Sequence, residues 1–109
     1  VISDIDRLRS LELSLLGITR TLPPQITIRN LSILLTVYLG EEQHTVRGLS
    51  KYLKIKKAAV CRAIDTLCKM DLIQRLPDAR DRRSIIVGRT GKGVLFLKMI
   101  ASNLSEIER

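Results

Sequence analysis

Apolar residues recur at helical spacing along most of this chain, and the rhythm breaks only around residues 72–87. Ser3-Asp4-Ile5-Asp6 reads as a helix start with a capping-box pattern. Ile5, Leu8, Leu11, Leu15 and Ile18 then form a stripe that Leu13 and Leu16 widen, and Pro23-Pro24 ends it. Thr27 caps a second helix with an apolar face of Ile28, Leu31, Leu34, Leu35 and Tyr38, closed by Gly40 and Glu41-Glu42-Gln43. Thr45 caps a short helix with Val46, Leu49, Ser50 and Leu53 inward. A turn at Lys54-Ile55-Lys56 leads into a helix over about residues 57–70, with Val60, Ala63, Ile64, Leu67 and Cys68 as its inner stripe. Two helices joined by so short a turn make a helix-turn-helix. The β-prone runs 72–76 and 84–87 flank a charged loop and predict a hairpin. Thr90 caps a long last helix carrying Val94, Leu97, Ala101, Leu104 and Ile107. The expected fold is one domain over residues 1–109, mainly α with a small β-hairpin (α+β), in the order α-α-α-α-β-β-α. His44-Thr45 leaves room for one extra short strand.

Charge changes this picture. The net charge is +8, but residues 45–93 hold 13 Lys/Arg against 4 Asp/Glu, and the remainder holds 6 against 7. All of the positive excess therefore lies in the centre, as in a polyanion-binding module flanked by neutral helices. The chain is 45 % hydrophobic, a high apolar load for a small domain, which points to apolar surface buried against a partner. Cys61 and Cys68 sit two helical turns apart, roughly 10 Å, too far for a disulfide. Two unpaired thiols and no signal-peptide pattern lead to the expectation of a cytoplasmic protein. The longest uncharged run, residues 30–40, is too short to span a bilayer, so no membrane is expected.

With its inner stripe removed, the helix over 57–70 presents Lys57, Ala58, Cys61, Arg62, Asp65, Thr66 and Lys69. Its first turn, Lys56, Lys57, Ala58 and Ala59, is small and basic, so it can enter a major groove while lysines meet the phosphate walls. Arg62 is long enough to reach a guanine edge or a phosphate. The bland alternative is a solvated amphipathic helix with a basic face. The loop Pro77-Asp78-Ala79-Arg80-Asp81-Arg82-Arg83 adds three arginines and two aspartates. Arg80, at its middle, is the candidate for a minor groove, where negative potential is concentrated. Asp78 and Asp81 are expected to brace the loop as partners of Arg82 or Arg83. A solvated turn with exposed ion pairs, each worth less than about 1 kcal/mol, is the alternative. Lone His44 reads as a loop residue, and no metal constellation, Ser-His-Asp set or Gly-rich phosphate loop is present. No cofactor, metal or enzymatic activity is expected.

These segments resemble the MarR-type winged helix-turn-helix transcription regulators. Residues 27–31 resemble the lead-in to that family's second helix, residues 45–53 the first helix of its DNA-binding pair, and residues 60–67 its recognition helix. Asp78-Ala79-Arg80-Asp81-Arg82-Arg83 fits its wing pattern, D-x-R-D-x-R, and Thr90-Gly91-Lys92-Gly93 the start of its last helix. The resemblance implies a homodimeric regulator, with repression the commoner outcome, on a pseudo-palindromic double-stranded DNA site. Thr45, Arg47, Lys56, Lys57, Ala58, Cys61, Arg62, Thr66, Arg80, Arg82 and Arg83 would contact DNA, and Asp78 and Asp81 would brace the wing. Residues 27–92 would form the DNA-binding lobe. The helices within 1–22 and 94–109 would dimerise through Ile5, Leu8, Leu11, Leu15, Leu97, Ala101 and Leu104. Lys56 stands where many members have a Ser cap, so a cap worth about 1 kcal/mol is expected to be missing. Asp71 stands in place of the usual Gly at the end of the same helix. Two other readings remain: a protein-interaction module docking an acidic partner, and a thiol- or ligand-responsive switch with DNA binding as its output.

Overall fold

Four of the five helix starts read from the sequence carry a local capping hydrogen bond. In this computed structural model, which describes residues 3–108 with side chains as far as Leu104, α1 is Asp4–Thr21 and α2 is Ile28–Leu39. A short β1 (His44–Thr45) precedes α3 (Val46–Leu53) and α4 (Lys57–Lys69). The hairpin strands β2 (Ile73–Pro77) and β3 (Ile85–Arg89) follow, then α5 (Gly91–Glu108). The hydroxyls of Ser3, Thr27, Thr45 and Thr90 accept from the backbone N–H three residues on, at 3.2, 3.1, 3.0 and 3.0 Å. At α4 the start is bare, because the Lys56 side chain makes no capping bond. Both tight turns around α4 use left-handed backbone, Lys54 at φ 57° and Asp71 at φ 58°.

His44 is a strand residue rather than a loop residue. It pairs with Val87, and Thr45 pairs with Ile86, so the hairpin becomes a three-stranded antiparallel sheet in the order β1-β3-β2. The hairpin register matches Ile73 to Arg89 and Pro77 to Ile85.

The chain divides into two compact units, one of residues 1–23 with 95–109 and the other of residues 24–94. The second contains the helix-turn-helix and the sheet. Its core is built from Leu31, Ile33, Leu34 and Val37 of α2, Leu49 of α3, Val60, Ile64 and Leu67 of α4, and Leu72, Ile73 and Val87 of the hairpin. The inner stripes expected for α3 and α4 are buried or half-buried. In α2 the buried face is rotated: Ile33 and Val37 are fully enclosed, whereas Ile28 is 67 % exposed. A largely apolar helix offers two adjacent stripes, and packing against α4 and β3 selects between them.

One hydroxyl ties this core together. Tyr38 Oη donates to the Leu72 carbonyl at 2.6 Å, lies 3.2 Å from the Thr90 carbonyl and accepts from Thr90 N–H at 2.9 Å. The Arg89 guanidinium lies over the Tyr38 ring and donates to the carbonyls of Val37, at 3.2 Å, and Gly40. Gly93 is pressed so closely here that a Cβ would lie 1.8 Å from Tyr38 Oη and 2.3 Å from the Leu72 carbonyl.

In the first unit, Gly17 of α1 lies against Leu104 and Asn103 of α5. The stripe Ile5, Leu8, Leu11 and Leu15 is exposed. In α5 the expected face at Val94 and Ala101 is exposed, and Ile100 is buried instead, with Leu97 and Leu104 half-buried. Positions 97, 100 and 104 share one helical face. The side chain of Ile107 lies outside the described residues.

Tyr38→Phe keeps the ring but leaves Thr90 N–H and the Leu72 carbonyl without their partner. Urea unfolding should give a loss of about 1–3 kcal/mol, the cost of unsatisfied buried groups; an unchanged midpoint would contradict the bridge.

Candidate nucleic-acid interface

Three elements converge on one crevice. Thr45 and Arg47 from the start of α3, Lys57 and Cys61 from the first two turns of α4, and Asp81 and Arg83 from the hairpin loop line a cavity of about 340 Å³. The local causes are plain. The Thr45 cap fixes the start of α3, the left-handed turn at Lys54 aims α4, and the pairing of Thr45 with Ile86 ties β1 to the hairpin. Six residues expected to act together, from sequence positions 45 to 83, are therefore neighbours.

The loop has its own internal logic. Asp81 N–H donates to the Asp78 carbonyl at 3.3 Å, and Ser84 N–H donates to the Asp81 carbonyl at 3.0 Å. Two β-turns thus follow one another, and each begins with an aspartate. The Asp78 carboxylate accepts from Arg80 N–H at 2.9 Å, and the Asp81 carboxylate accepts from Arg83 N–H at 2.9 Å. Both are Asx turns, which aspartate forms readily. The expected guanidinium partners are not used: the aspartates hold backbone, and among the described residues none of Arg80, Arg82 and Arg83 is in an ion pair. Short carboxylates fit the nearby amides of the turn they sit in, which leaves the arginine heads in solvent. All three arginines are exposed.

Arg62 and Thr66 belong to a different groove, with Gln25, Thr27 and Arg29 from the approach to α2. Lys56 and Ala58 are exposed at the start of α4. Asp65, the carboxylate on the outward face of α4, is bound by Arg75 of β2, a partner that sequence spacing did not reveal. Exposed pairs of this kind add little stability, but this one screens the only negative charge on the outward face of α4. Cys61 and Cys68 are both free thiols. Burial pushes the Cys68 thiol above its usual range; the nearby Arg75 charge lowers it in part and Asp65 raises it further. Among the described residues no cluster of His, Cys, Asp and Glu could hold a metal ion, and no helix is long and apolar enough to cross a membrane.

Among the described residues, this arrangement presents guanidinium and ammonium groups in no ion pair on a helix start and on a loop held by two Asx turns. Its chemistry is anion recognition.

The MarR family model matches residues 16–84. The fold is similar to that of the transcriptional regulator Tm0710 from Thermotoga maritima, with a TM-score of 0.82 and 24 % identity over 94 % of this chain and 71 % of that one. A mutant of S. aureus MepR bound to an oligodeoxyribonucleotide is similar with a TM-score of 0.81 and 24 % identity, over 95 % and 76 % of the two chains. A MarR transcriptional regulator from Methanosarcina mazei Go1 gives 0.72 and 28 % identity, over 93 % and 73 %. No curated protein matches the sequence.

The Asx turns make a specific prediction. Asp78→Asn and Asp81→Asn keep an oxygen that accepts the same N–H, so hydrogen exchange at the Arg80 and Arg83 amides should stay slow. Alanine at either position should speed it. Equal exchange in the Asn and Ala variants would contradict the turn geometry.

Proposed function

The chain belongs to the MarR family, and from that premise we propose that it is a homodimeric, cytoplasmic repressor of transcription that reads a pseudo-palindromic duplex site. The family's members are transcription regulators rather than enzymes. In this reading the start of α4 enters the major groove, with Lys56, Lys57 and Ala58 at its mouth and Cys61, Arg62 and Thr66 along its outward face. The hairpin wing reaches the neighbouring minor groove through Arg80. Arg82, Arg83, Arg47 and Thr45 meet the backbone between them.

The observation that carries the reading is the crevice where Arg47, Lys57 and Arg83 meet from three elements. Bound carboxylates keep the wing stiff while its arginine heads stay free. Stability alone gives no reason for this arrangement. DNA bound to S. aureus MepR adds support from a similar fold.

Self-association has separate support. Ile5 and Leu8 are 63 % and 62 % exposed on one face of α1, and Leu11 and Leu15 continue the stripe. Four large apolar side chains in a row are a costly surface to leave in water, at about 25 cal/mol for each Å². A second copy covering this stripe, with Leu97, Ala101 and Leu104 of α5 beside it, would provide the two-fold symmetry that a palindromic site needs.

Arg80→Ala should weaken duplex binding at least severalfold while the melting temperature stays put. In the parent protein, log affinity should fall steeply against log salt, because several phosphates are neutralised. A flat salt response would favour docking of an acidic protein instead. Light scattering at micromolar concentration should give a dimer for the parent and a monomer for Leu8→Asp; a monomeric parent would contradict the self-association.

A further inference from the structure

The residues assigned to DNA contact do not form one patch. Some of them line two separate grooves on opposite flanks of α4. On one side lie Arg47, Lys57, Cys61 and Arg83. On the other, Arg62 and Thr66 face the first turn of α2 across a groove of about 610 Å³, and the cation facing them is Arg29.

Arg29 is exposed, and among the described residues it is in no ion pair. It is held on a rigid element. Thr27 caps α2 through Asn30 N–H, and the buried Asn30 amide donates to the Gln25 carbonyl at 3.4 Å. The first turn of α2 carries no acidic residue, and Arg29 is its second residue. A cation there opposes the helix dipole, which favours negative charge at this end. No carboxylate lines the groove that Arg29 shares with Arg62. The charge is therefore badly placed for the helix and well placed for an external anion, and such local conflicts concentrate at functional positions.

Duplex geometry supplies that anion. A helix seated in a major groove about 12 Å wide has phosphates on both walls, and the crevice with Arg47, Lys57 and Arg83 can serve only one of them. We propose that Arg29 binds a backbone phosphate on the opposite wall, with Arg62 beside it, so that α4 is clamped from both flanks. This rests on the DNA-binding reading above. The contact is to the sugar-phosphate backbone and carries no sequence preference, so its effect falls on affinity alone.

The test titrates the parent, Arg29→Ala, Arg29→Lys and Arg80→Ala against a preferred duplex and a scrambled one across a salt series. Arg29→Ala should weaken both duplexes by the same factor, about three- to tenfold at low salt, and reduce the magnitude of the salt slope by about one. Arg29→Lys should restore the slope. Thermal melting of Arg29→Ala should match or exceed that of the parent, because a misplaced charge has gone. If Arg29→Ala binds like the parent while Arg80→Ala is weakened, the Arg29 contact is overturned and the DNA reading stands. A loss confined to the preferred duplex overturns the phosphate assignment. If the parent shows no salt-dependent duplex binding, the DNA reading falls and Arg29's role with it.

Discussion

At the base of the hairpin, one side chain from the helical layer meets both strands. Tyr38 Oη binds Leu72, just before β2, and Thr90, just after β3, so the two ends of the hairpin are fixed to α2 through a single atom. Gly93 must be glycine for this to happen, because any Cβ would occupy the space of that oxygen. The Arg89 guanidinium, laid over the same ring, ties the carbonyls at the end of α2 to β3. The α2 helix also packs on α4 through the shared core of Leu31, Leu34, Ile64 and Leu67. The wing and the start of α4 are therefore aimed from one shared base.

Local features were legible in the sequence. Ser3, Thr27, Thr45 and Thr90 cap the helices they precede, since a cap needs only a hydroxyl and the three residues after it. The missing cap at Lys56 and the left-handed Asp71 were legible for the same reason. Helix faces were harder. Both α2 and α5 are apolar on more than one side, and Ile33, Val37 and Ile100 are buried because of what packs beside them. Periodicity within one helix contains no record of that. The aspartates of the wing were recognised as braces, but not the groups they hold. A carboxylate within two residues of a free N–H finds it sooner than a flexible guanidinium in water. The Asp65–Arg75 pair spans a helix and a strand ten residues apart, so no spacing rule could expose it.

The basic residues of the central region serve two purposes, and only the structure separates them. Arg75 and Arg89 are committed inside the molecule, one to a carboxylate and one to backbone carbonyls. Arg47, Lys56, Lys57, Arg62, Arg80, Arg82 and Arg83 are in no ion pair among the described residues, and they are among the charges available to a polyanion. Net charge alone would have counted both groups equally. The available set surrounds the start and outward face of α4 and the tip of the loop, a distribution that matches grooves rather than a flat acidic surface.

We propose that α4 and the wing read duplex DNA in paired, two-fold-related grooves. Selection of bound duplexes from a random pool tests it most directly, since binding, symmetry and spacing emerge from one set of sequences. The expected outcome is enrichment of a pseudo-palindrome whose half-sites lie about one helical turn apart. A pool that shows no enrichment, or enriches a single asymmetric half-site, would contradict it.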